Sequence, residues 1–164
     1  MKKFLVSLIY ISLATLVMAY LFKVMRWPGL GEVNIGLFWL HIGAYLGYAA
    51  LVPDKDSRIL FPMGFLVFLL ILSTAEVGIS NSFVIVGLIV IYVGYHIAMP
   101  TYLGKSEIPF IQKAGIIGLV LLMIGVVFKE MHWPRPDLFF IIGCGTTSFI
   151  LLIAGLTKGL VRQK

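Results

Sequence analysis

One cysteine in 164 residues, Cys144, excludes an internal disulfide and leaves no cysteine cluster to hold a metal. Charge is scarce too. Asp, Glu, Lys and Arg make up 12% of the chain, about half the share usual in soluble domains. Carboxylates are the rarest charged class, with seven Asp and Glu together. None of them falls deep within a long apolar run, which weakens any reading as a dedicated proton or cation pathway. No nucleophile stands at a convincing spacing from a base. No metal-ligand pair at helical spacing and no phosphate-binding loop is spelled either. These absences predict a non-enzymatic protein without a cofactor.

Apolar residues fill the space. They make up 60% of the chain, and the mean hydropathy is +1.05. A small water-soluble domain leaves too much surface exposed to hide that many apolar side chains, so lipid is the expected solvent. The net charge of +6 is then read as marking cytoplasmic loops rather than nucleic-acid binding.

A membrane-spanning helix needs about 20 apolar residues, with a floor near 17. Six stretches qualify: Phe4–Phe22, Val33–Val52, Ile59–Ala75, Phe83–Met99, Ile111–Phe128 and Leu138–Leu156. The expected fold is an all-α membrane protein forming one transmembrane domain over 1–164. It is built of three antiparallel hairpins at 4–52, 59–99 and 111–156, since short links make neighbouring helices antiparallel. The break EVGISN between the third and fourth stretches is the weakest. Lys2, Lys3, Lys55, Arg58, Lys105, Lys113, Lys158, Arg162 and Lys164 fall on one side of the bilayer, and Lys23, Arg26, Lys129 and Arg135 on the other. The excess places both termini in the cytoplasm, and the setting expected is a bacterial inner membrane. The opening MKK, an apolar run and Val17-Met18-Ala19 also fit a cleavable signal peptide. The repeat described next argues against that alternative.

FKVMRWPG at 22–29 returns as FKEMHWPR at 128–135. Phe22, Lys23, Met25, Trp27 and Pro28 each match the residue 106 positions later. Three hairpins sharing that offset predict a period near 53 and repeated supersecondary units in one orientation. The middle unit has Ser80 and Asn81 where Trp-Pro would stand, and Glu76 where the lysine would stand. Lys23, Glu76 and Lys129 are therefore expected at one depth, with Glu76 between or beside the lysines. Arg26, Trp27, Pro28, His132, Trp133 and Pro134 form a candidate interfacial motif. Its Trp suits the headgroup region, and its Pro cannot continue the preceding helix. The motif serves either as a hairpin anchor or as a charged surface for a partner.

Two histidines fall inside the apolar runs, His41 and His96. Histidine titrates near neutral pH, so the pair is a candidate intramembrane proton or ligand site. The competing reading is a neutral ring hydrogen-bonded to a neighbouring helix. Tyr92 and Tyr95, with His96, could line a polar pocket. Gly43 and Gly47 match the GxxxG pattern of close helix contact, and Gly87, Gly94, Gly115, Gly118, Gly143 and Gly145 are further small residues at helical spacing. Ser73, Thr74, Thr146, Thr147 and Ser148 can bond back to their own helices.

The two Trp-Pro phrases resemble the Phe-Lys-x-x-His-Trp-Pro-Gly hairpin of the gliding motility protein GldL family of Bacteroidota. In that family two helices flank the phrase and form the membrane part of a proton-driven motor. Its partner is GldM, and it serves type IX secretion and gliding. The resemblance covers the first and third hairpins. The lysine matches at Lys23 and Lys129 and the histidine at His132, whereas Arg26 takes the histidine's place in the first copy. The family's mid-membrane acidic residue would fall near Tyr45 or Leu151, and neither is acidic. The resemblance therefore implies a stand-alone, multi-hairpin relative rather than the motor subunit. Its expected partners are the lipid bilayer and another membrane protein or a second copy. The alternative is a small ion- or proton-conducting unit using His41, Glu76 and the outer lysines.

Overall fold

The computed structural model describes residues 1–26, 31–53, 57–74, 82–98 and 109–160. Among these the chain is all-helical, with α1 (Lys2–Val24), α2 (Gly31–Leu51), α3 (Ser57–Thr74), α4 (Ser82–Ala98), α5 (Pro109–Glu130) and α6 (Pro136–Leu160). Each apolar stretch read from the sequence coincides with one helix, its ends shifted by about a turn at most. Two segments, Lys2–Val24 and Pro136–Thr157, are long and apolar enough to cross a membrane. Pro62 lies inside α3. It has no N–H to give the carbonyl four residues back, so that helix loses one rung of its ladder.

The helices are apolar around their whole girth. Val6, Ile9, Tyr10 and Leu13 of α1 are buried together with Tyr45, Leu122, Phe140 and Leu151. Trp39, Leu46, Phe61, Ile91, Ile117 and Phe149 are exposed on the outside. A helix that is apolar on every side belongs in a large core or in lipid.

Helix α1 packs between α2 and α6. The chain of neighbours then continues from α6 to α5 and α4, and from α2 to α3. The first and last helices are therefore neighbours in space. Ser7 Oγ on α1 donates to the Gly155 carbonyl on α6 at 2.7 Å. Helices α3 and α4 meet through rings, with Phe61 against Tyr95 at a centroid distance of 4.6 Å and Phe65 stacked on Tyr92 at 5.2 Å.

Among the described glycines, Gly143 of α6 faces the backbone of its neighbour, α5, most tightly. A Cβ at Gly143 would lie 2.6 Å from the Leu122 nitrogen and 2.9 Å from the Gly118 oxygen. A Cβ at Gly118 would lie 2.6 Å from Thr147 Oγ1. The GxxxG pattern of α2 makes no such contact. Gly43 faces open space, and a Cβ at Gly47 would touch Leu5 at an ordinary 3.6 Å. The pattern describes one helix, and close contact needs a partner backbone at the same place.

The two Trp-Pro phrases stop their helices in the same way. Met25 N–H bonds to the Leu21 carbonyl at 2.9 Å, and Arg26 N–H to the Lys23 carbonyl at 3.1 Å. At an offset of 106, Met131 N–H bonds to Val127 at 2.9 Å and His132 N–H to Lys129 at 3.3 Å. Arg26 and His132 both take the left-handed conformation, each with φ 56°. In the later copy Trp133 N–H also bonds to the Phe128 carbonyl at 2.8 Å, completing a Schellman cap. The apolar contact that usually accompanies this cap is present, since the Trp133 and Phe128 rings meet edge to face at 4.9 Å. The phrase is thus a helix stop, with Phe three residues before the cap residue and Trp two after it.

The offset also relates the two helix crossings. Ser12 touches His41 where α1 meets α2. Adding 106 to each gives Gly118 and Thr147, which touch where α5 meets α6. The middle positions, Phe65 and Gly94, face elsewhere. Phe65 stacks on Tyr92, and Gly94 faces Leu119 of α5.

Candidate functional site

One group of polar side chains in the interior gathers where α1, α2 and α4 meet. Tyr10 and Ser12 come from α1, His41 and Tyr45 from α2, and Tyr92 and His96 from α4, and all six are buried. His41 with Tyr45, and Tyr92 with His96, are spaced by four residues. Each pair therefore shares one face of its helix.

His41 is at the centre. Its Nδ1 lies 2.8 Å from Ser12 Oγ and its Nε2 lies 2.7 Å from Tyr92 Oη. Ser12 Oγ also donates to the Ile9 carbonyl at 3.0 Å, which uses its one proton. Ser12 must then accept from His41 Nδ1–H, which leaves Nε2 to accept from the Tyr92 hydroxyl. This network assigns the Nδ1–H tautomer. The protons run in one direction: Tyr92 to His41, His41 to Ser12, and Ser12 to the backbone of its own helix.

His96 lies beside this chain. Its Nδ1 is 2.9 Å from the Tyr92 carbonyl, an acceptor only, so Nδ1 carries the proton. The Tyr10 hydroxyl donates to the His96 carbonyl at 3.2 Å. The His96 ring is surrounded by the rings of Tyr10, Tyr45, Tyr92, Tyr95 and His41, at centroid distances from 4.6 to 6.5 Å. The edge-to-face arrangements among them suit aromatic packing. The structure thus joins two histidines that the sequence marks only separately.

Ser12, Tyr10 and Tyr45 complete the network without having stood out in the sequence as site residues. Only the four-residue spacings to Tyr45 and to Tyr92 hint at it. Cys144 is buried in the core. Thr147 Oγ1 and Ser148 Oγ, expected to bond back to their helix, are buried without a hydrogen bond to any described residue. Thr15 and Thr157 do bond back, to Ile11 at 3.2 Å and to Ile153 at 2.8 Å.

The outer charged residues are at helix ends. Lys23 and Lys129 stand exposed in the last turns of α1 and α5. Arg26, His132, Trp133 and Pro134 are exposed beyond them, and His132 Nδ1 is 3.2 Å from the Lys129 carbonyl. Glu76, Trp27 and Pro28 lie outside the described residues, and so does the expected meeting of Glu76 with the lysines. Among the described residues no group of three or more His, Cys, Asp and Glu is placed to hold a metal ion. In comparisons with protein-family models, curated proteins and solved structures, nothing matches this chain.

Proposed function

We propose that this chain is a six-span bacterial inner-membrane protein with cytoplasmic termini. It acts without catalysis as a packing or scaffold subunit beside another membrane protein or a second copy of itself. The observation that carries this reading is the closed hydrogen bonding of His41 inside an apolar exterior. Both ring nitrogens are engaged, by Ser12 and Tyr92. The buried polar residues are Ser12, His41, His96, Thr147 and Ser148, with no carboxylate among those described. Such a network fixes how helices pack, because an unmatched polar group in lipid is costly.

The shared helix stop at Arg26 and His132, and the shared crossings, support an origin by repetition of one hairpin. The Trp-Pro phrase supports kinship with the GldL hairpin, and with it a partner in a membrane assembly for secretion or motility. Purification from native membranes in mild detergent tests the reading. A stoichiometric partner or a dimer is expected, and a lone monomer overturns it.

One observation favours a second reading. Tyr92 bonds to His41 through its hydroxyl and to His96 through its carbonyl, so one residue links both titratable rings. That suits a small proton-conducting unit drawing on Glu76, Lys23 and Lys129 at the outer face. The scaffold reading expects only background flux in proteoliposomes. Proton flux abolished by His41→Ala would replace it with the second.

A further inference from the structure

We infer that the turn closing α1 is a binding site for the phosphodiester of an anionic phospholipid, held by Lys23 and Arg26. This rests on the membrane reading above. Arg26 occupies a left-handed position, φ 56°, that glycine or asparagine usually fills at a helix end. A cation held there against that preference calls for a role outside the turn. The bond from Arg26 N–H to the Lys23 carbonyl at 3.1 Å closes one turn that carries both residues. Val24 and Met25 between them pack against the core, while Lys23 and Arg26 are both exposed. Two cations thus emerge together at the end of an apolar 23-residue helix, at the level where lipid phosphates lie. Guanidinium binds phosphate through two parallel donors, and ammonium adds a point charge. The Leu21 and Lys23 carbonyls already accept hydrogen bonds from the turn, which lessens their repulsion of an anion. The equivalent turn of α5 has the same backbone but places Glu130 beside Lys129 and Asp137 after Arg135, two carboxylates where the first turn has only Glu32 within ten residues of Lys23. Its positive field is offset, so the first turn is the preferred site.

The test uses the full chain in nanodiscs of phosphatidylcholine with a minor share of phosphatidylglycerol. Lipid retained after mild detergent extraction is counted by native mass spectrometry. Wild type is expected to enrich phosphatidylglycerol. Lys23→Gln with Arg26→Gln should reduce the enrichment about thirtyfold, the two charges near an anionic surface together being worth about 2 kcal/mol. Lys129→Gln with His132→Gln should change it less than twofold. Arg26→Gly guards against misfolding, because glycine suits the turn: enrichment should fall while thermal stability holds or rises. Unchanged enrichment in the Lys23/Arg26 variant overturns the site. Displacement of the bound lipid by millimolar inorganic phosphate also overturns it, as showing a general anion site. Release of the protein from membranes by alkaline carbonate is a separate result and overturns the membrane reading instead.

Discussion

The hydroxyl of Tyr92 and the imidazole of His41, 51 residues apart in sequence, meet at 2.7 Å in the buried interior. Through that contact α4 is joined to α2, and through Ser12 to α1. A single side chain therefore ties three helices together.

Replacing His41 with Ala should leave the Tyr92 and Ser12 hydroxyls facing a void. The expected loss is about 2–4 kcal/mol, from unsatisfied groups and the cavity together. Tyr92→Phe should cost less, about 1 kcal/mol. Reversible unfolding in mixed micelles measures both. A double-mutant cycle should return a coupling of about 0.6–1.7 kcal/mol, the range for hydrogen bonds between membrane helices. Additive losses would show that the two side chains do not depend on each other.

Glycine-to-alanine substitutions should separate contact from spacing. Gly143→Ala forces a methyl group against the backbone of Leu122 and Gly118. It should cost about 1–3 kcal/mol, as overpacking does. Gly43→Ala and Gly145→Ala enter open space and should be neutral or stabilising by up to about 1 kcal/mol through helix propensity. Equal effects at Gly143 and Gly43 would refute the α5–α6 crossing. Thermal unfolding of purified variants suffices to rank them.

The six helices were legible because a run of some twenty apolar residues between Pro, Gly and charge reads the same in isolation as in the fold. Their packing was not. The neighbouring of α1 and α6, sealed by Ser7 and Gly155, depends on surfaces at opposite ends of the chain. Gly43-x-x-x-Gly47 satisfied a one-helix pattern but faces open space at Gly43 and only the Leu5 side chain at Gly47, while Gly118 and Gly143 form the contact from two different helices. His41 and His96 stood out individually, as polar groups in apolar runs. Their union through Tyr92 depends on helix rotation, which no local spacing reports. The helix stops were legible from the charge and Pro of the phrase, but their geometry was hidden, since the left-handed positions carry Arg and His in place of the glycine that would have announced them.

Relaxing that stop should be measurable. His132→Gly removes a side chain from a left-handed position, where a non-glycine residue costs about 1 kcal/mol or more. The ring's bond to the Lys129 carbonyl is exposed and adds little. Stability should rise by about 1 kcal/mol, read as a higher melting temperature. Asn at the same position should keep part of the gain, and a loss with both substitutions would contradict the cap.

Cysteine labelling can fix the sidedness of the Trp-Pro turns. Cys144 is fully buried and should resist a membrane-impermeant maleimide, giving a silent background. His132→Cys is then expected to label from outside intact cells, and Lys2→Cys only after lysis. The reverse pattern would invert the topology and move the proposed lipid site to the inner leaflet.

The matched crossings carry a consequence for how such a protein can change. Where α5 meets α6, Gly118 and Thr147 lock two backbones together with almost no side chain between them. Where α1 meets α2, Ser12 and His41 occupy the corresponding places and reach outward to a third helix. One joint is closely packed and its buried Thr147 hydroxyl makes no hydrogen bond to a described residue, while its counterpart holds the interior hydrogen bonding. A side chain added at the α5–α6 joint meets backbone, whereas the α1–α2 joint has room for polar groups that reach a neighbouring helix.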